Sequence, residues 1–173
     1  MIRETKLRIQ KMSIYGLTLL LLYILQTTPG FLTFWGIKPL LVLPLAVSIA
    51  MMEGELVGGL FGLAAGILCD TSGITIFGIN SLLYMGACVC IGLLVIYYMQ
   101  ASRLNSLIFT GVVLGIRELF EFFFYYVMWG YEDMRLILLK HMLPMIVLTL
   151  VVTPLLYWFV CQVHGYFRRK GNI

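Results

Sequence analysis

The sequence predicts an all-α integral membrane protein, a single bundle of six transmembrane helices. Three observations predict it. The chain is 61% hydrophobic and only 12% charged, with a mean hydropathy of +0.99, far above a soluble domain. Its 173 residues divide into six apolar segments, and a membrane helix needs about 20 apolar residues. Eight of the 12 basic residues fall on one side when six spans are drawn, which the positive-inside rule assigns to the cytoplasm.

The segments run over residues 12–28, 37–52, 56–70, 76–99, 104–128 and 136–163. The first follows Arg3, Lys6, Arg8 and Lys11, and no A-x-A-like cleavage site succeeds it, so it reads as an uncleaved helix. The second and third are short and separated only by Glu53-Gly54-Glu55. Their length predicts tilt, a thinned bilayer or a hairpin that dips in without crossing. Pro44 inside the second predicts a kink. Arg103 separates the fourth and fifth, and Arg168, Arg169 and Lys170 close the sixth. Five spans would split the two basic ends across the membrane, so six are favoured, with both termini cytoplasmic. Trp35, Trp129 and Tyr131 form an outer aromatic belt, and Tyr97, Tyr98 and Tyr166 an inner one.

The stretch from Glu53 to Gly73 carries Gly54, Gly58, Gly62 and Gly66 every fourth residue, and Asp70 continues the stripe. Residues four apart stack on one helix face. The glycines therefore predict a groove where another helix, of this chain or of a partner, approaches closely. A carboxylate near the end of a membrane helix needs a partner or water.

The fifth segment holds Arg117, Glu118 and Glu121 about midway. At 100° per residue they share one face with Gly111 and Gly115. Phe109, Val113, Ile116, Phe120, Phe123 and Val127 fill the opposite, lipid-facing arc. Arg117 and Glu121, four apart, are expected to pair. Glu118 is then left over, and either carries a proton or meets a cation from elsewhere. The cluster reads foremost as an internal polar clamp, with a partner-facing site or a substrate or proton site as the alternatives.

Other chemistry is not signalled. Cys88 and Cys90 point about 200° apart on a helix, poor for joint ligation, and His141 and His164 lie near opposite ends of the last span. No phosphate loop, HExxH or G-x-S-x-G occurs, so neither an enzyme nor a cofactor or metal site is expected. No basic patch with interleaved aromatics points to nucleic acid, whereas the basic tails suit anionic lipid.

The stretch KPLLVLPLAVSIAMMEGELVGGLFGLAAGILCDTSGITIFGINSLLYMGA resembles the core of the rod shape-determining MreD family. The pattern is Lys38-Pro39, an apolar helix ending in a short polar turn, then Gly58, Gly62 and Gly66 leading to Asp70. Gly73 follows, then Gly78-Ile79-Asn80 and an apolar run through Tyr84. The resemblance rests on this stretch; elsewhere it rests on length, span count and basic tails. It implies a six-helix fold resembling the S components of energy-coupling-factor transporters. It implies a non-enzymatic assembly role in bacterial cell elongation, in the cytoplasmic membrane. The implied partners, direct or indirect, are an MreC-like scaffold, an MreB-like actin, a RodA-like glycosyltransferase and a class B penicillin-binding transpeptidase. The alternative is an S component binding a vitamin or other small solute, with Asp70, Asn80, Glu121, Trp129 and His141 near the cavity. Against it, the first helix lacks the small-xxx-small pattern usual at the contact with the energising subunit. A lipid-acting enzyme is a third and weaker reading.

Overall fold

The computed structural model describes residues 2–28, 30, 38–72, 77–124 and 143–171. Trp35, Gly73, Val127, Trp129, Tyr131 and His141 therefore lie outside the described residues. Those described form six helices and no strand: α1 (Ile2–Thr27), α2 (Val42–Glu53), α3 (Glu55–Ser72), α4 (Ile79–Tyr97), α5 (Arg103–Phe122) and α6 (Leu143–Gly171). Three of them are long and apolar enough to cross a membrane, within α1, α4 and α6. The described residues are thus all-helical in their regular structure, with membrane-spanning character.

Helix α2 is the axis of the structure. Every residue from Leu40 to Met51 is buried, against α3, α4, α5, α6 and α1. Its 12 residues rise about 18 Å, well short of a hydrocarbon core of about 30 Å. Encased by other helices, α2 need not match that thickness. Pro44 is its third residue, in the first turn, where no intrahelical N–H bond is owed. The physical cause of the expected kink, a lost intrahelical hydrogen bond, therefore does not apply at this position. Gly54 is not part of the α3 stripe: it caps α2 with φ of 88°, a left-handed conformation that favours glycine.

The apolar N-termini of α2 and α4 are capped from other helices. Leu41 precedes α2 and makes no side-chain cap. Gln26 of α1 instead accepts from Leu41 N at 3.0 Å and Val42 N at 3.4 Å. Thr149 of α6 accepts from Leu40 N at 3.1 Å. Lys38 Nζ donates to the Thr27 and Thr28 carbonyls, at 3.3 Å each, at the end of α1, where a cation complements the helix dipole.

These contacts fix direction. Gln26, Leu41 and Thr149 share one end, while Lys11, Glu53 and His164 share the other. Thus α1 runs antiparallel to α2 and α6, and both chain ends lie at the Glu53 end.

Candidate functional site

The glycine stripe of α3 is filled by the chain itself. A Cβ on Gly58 would stand 2.5 Å from Ala50 Cβ of α2. One on Gly62 would stand 2.6 Å from the Tyr84 carbonyl of α4, and one on Gly66 would collide with the Ser81 backbone. Real Cβ atoms do not approach so closely, so these backbones are in direct contact. Because the stripe drifts by about 40° per step, Gly58 serves α2 while Gly62 and Gly66 serve α4. Two further glycines complete the joint and were not singled out by spacing. Gly59 faces Val89, and Gly92 of α4 receives the Glu55 backbone, 2.6 Å from a built Cβ.

Asp70 ends the stripe as the cap of α4. Its Oδ2 accepts from Gly78 N and Ser81 N, each at 3.1 Å, and from the Ser81 hydroxyl. Its Oδ1 accepts from Asn80 N at 3.3 Å. The residue at the cap position, Gly78, has φ of 101° and no side chain to offer. The orphan donors of a helix N-terminus are thus satisfied by a carboxylate, which the helix dipole also favours. Asp70, Gly78 and Asn80 meet at this one point.

On α5 the structure corrects the expectation that Glu118 is left over. Arg117 spans both acids: one guanidinium nitrogen pairs with Glu118, and the other lies 3.0 Å from Glu121 Oε2. Adjacent residues do not normally face each other on a helix; the long arginine side chain bridges them. Glu118 is buried and Glu121 partly so. Tyr84, fully buried on α4, lies within electrostatic reach of all three. Its hydroxyl and Arg117 Nε have no hydrogen-bond partner among the described residues, nor do the buried Ser106 and Thr110 hydroxyls. Gly111 packs on Leu150 of α6, whereas a Cβ built on Gly115 meets no atom of the described residues within 4 Å. Val113, placed by its wheel angle on the lipid arc, is buried, while Ile116, Phe120 and Phe123 are exposed.

A third cluster, at the end holding both chain termini, was not anticipated. Glu53 Oε1 receives the Tyr15 hydroxyl at 3.1 Å and pairs with Lys11. His164 Nδ1 lies 2.8 Å from the same oxygen and 3.2 Å from Lys11 Nζ. Protonated at Nδ1, the imidazole donates to Glu53. Burial pushes the Glu53 carboxyl up, but the His164 and Lys11 contacts outweigh it and hold the group below the ordinary carboxylate value. The cluster clasps α1, α2 and α6 together.

The described cysteines form no disulfide; Cys69 and Cys88 are buried and Cys90 is exposed. No group of three or more metal-ligating side chains occurs among the described residues. Comparison with known proteins adds no relative: no family model, curated protein or solved structure matches the chain.

Proposed function

We propose that this chain is a non-enzymatic assembly component of the bacterial cell-elongation machinery, an MreD-like protein with six spans and cytoplasmic termini. The observation that carries the reading is that the residues of the MreD-like stretch form one joint. Lys38 closes α1, the three stripe glycines seat α3 on α2 and α4, and Asp70 caps α4. Residues recognised as one motif thus have one physical task, the α2–α3–α4 core. Function follows from the resemblance and from what that core leaves available. The glycine groove is occupied within the chain, so partner helices dock on outward apolar faces. Leu56 and Leu60 of α3 and Leu82 of α4 are exposed there.

The test is co-purification of the full chain with the MreC-like protein of the same genome, alongside depletion in the living cell. Recovery of the pair and rounding of rod-shaped cells are expected. Failure of both refutes the assembly reading.

One observation favours a second reading, the S component. The Tyr84 hydroxyl and Arg117 Nε, without a hydrogen-bond partner among the described residues, are the kind of groups that hold a small polar solute. Three residues expected near such a cavity are already engaged, however: Asp70 and Asn80 in the α4 cap and Glu121 with Arg117. Thermal stabilisation of the purified chain by a vitamin, with no MreC-like protein retained, would establish this reading instead.

A further inference from the structure

The termini of α1 and α6 share more than a side of the structure. Lys11 and His164 meet on Glu53, so the two helices are joined at that level. Both continue past it. Nine residues of α1 precede Lys11 and seven of α6 follow His164, projecting about 13 Å and about 10 Å. A headgroup layer is roughly 5–8 Å deep, so both projections are long enough to pass through one.

One turn beyond the clasp stand Arg8, three residues before Lys11, and Arg168, four after His164. At 100° per residue Arg8 is turned about 60° from Lys11 and Arg168 about 40° from His164. A three-residue step falls short of a full turn and a four-residue step passes it, so on facing helices these offsets rotate toward the same side of the pair. Arg8 and Arg168 therefore remain on a common face. Both are exposed, and neither forms an ion pair among the described residues.

The surroundings are of one sign. Eight basic residues lie at this end, Arg103 included, against Glu4, Glu53 and Glu55, and Glu53 is taken by the clasp. Exposed Ile9 and Tyr166 add apolar surface, and Lys170 lies 4.6 Å over the Tyr166 ring.

We infer that Arg8 and Arg168, set side by side by the Lys11–Glu53–His164 clasp, hold one phosphate of an anionic phospholipid in the leaflet at the basic end. The setting selects lipid over a soluble partner: both helices are long and apolar enough to cross a membrane, and Ile9 and Tyr166 beside the pair are exposed. Charge selects an anionic headgroup over a zwitterionic one. Two guanidiniums on different helices chelate one phosphate, as planar donors do.

The experiment measures retention of phosphatidylglycerol by the purified full chain in neutral detergent, with native mass spectrometry as readout. Arg8→Gln or Arg168→Gln is expected to weaken retention about fivefold. The double variant is expected to be little worse than either single one, because half a chelate holds little. Arg169→Gln, turned about 140° from His164, is expected to leave retention unchanged. A full product of the two single losses would overturn the inference by showing two independent charges. Equal losses at Arg169 would overturn it by showing diffuse attraction. Competition by millimolar inorganic phosphate as effective as by lipid would overturn it in favour of a free-phosphate site. Thermal unfolding of each variant in the absence of lipid, expected to match wild type, separates lipid loss from misfolding.

Discussion

Ser81 engages Asp70 twice, through its backbone N–H at 3.1 Å and through its hydroxyl. The pair joins the last turn of α3 to the first turn of α4 beside the Gly66–Ser81 backbone contact. Close packing and capping therefore reinforce each other at one spot. Without the cap, α4 would begin with bare N–H groups in an apolar setting, where each unsatisfied donor is costly.

Asp70→Ala removes the acceptor for all these donors. Loss of a helix cap costs about 0.5–2 kcal/mol, and hydrogen bonds to a charged acceptor lie toward the upper end. Thermal unfolding in detergent should show Asp70→Ala destabilised by about 2 kcal/mol or more. Ser81→Ala, which keeps the backbone N–H bond, should lose about 1 kcal/mol. Equal losses would show that the hydroxyl, not the helix end, is what Asp70 serves.

The glycines divide into those in contact and those in open space. Gly66→Ala must force α3 and α4 apart, since its Cβ meets Ser81 backbone and not a movable side chain tip. Gly86, within α4, has nothing within 4 Å of a built Cβ and is exposed. Gly86→Ala should therefore stabilise by up to about 1 kcal/mol through helix propensity. Gly66→Ala should lower the unfolding temperature in the same assay. A neutral result at Gly66 would mean that the helices can separate freely.

The stripe was legible because a four-residue repeat has one structural meaning on a helix. Which helix it meets was not legible, since the drift of the stripe divides it between α2 and α4. Gly92 stands alone in the sequence and gives no periodic signal, yet it receives the start of α3. The Glu53 clasp was hidden for a similar reason. Glu53 and His164 are 111 residues apart, and Lys11 and His164 are 153 apart. Sequence placed these as turn and tail residues; only the closing of the helices brings them together. Arg117 was legible as a buried charge, but its bridge to both acids depends on side-chain reach, which wheel angles do not describe.

Acid should release the clasp in a defined direction. Glu53 titrates below the ordinary carboxylate value in the folded protein, against about 4.3 in an unfolded chain. Its contribution is therefore complete above the unfolded value and is lost as pH falls through the folded one. Lys11, His164 and Tyr15 are the titratable groups that face it. The stability gap between wild type and Glu53→Gln should narrow once the pH falls below about 4. A gap that does not narrow below about pH 4 would show that the carboxyl is not held by these cations.

The bridging arginine makes the α5 cluster a three-body problem. Arg117→Ala strands two carboxylates, Glu118 and Glu121, at once. Breaking a buried pair in this way costs about 3–5 kcal/mol in soluble interiors. Arg117→Ala with Glu121→Gln still leaves the buried Glu118 unpaired, so it should recover only part of the loss. The triple change, with Glu118→Gln added, removes every stranded charge and should be the most stable of the three variants lacking Arg117. Unfolding midpoints of these three against wild type decide the matter. Full recovery in the double variant would show that Glu118 needs no partner. No recovery even in the triple variant would show that Arg117 holds the helix by packing or through Tyr84, and that the ion pairs add little.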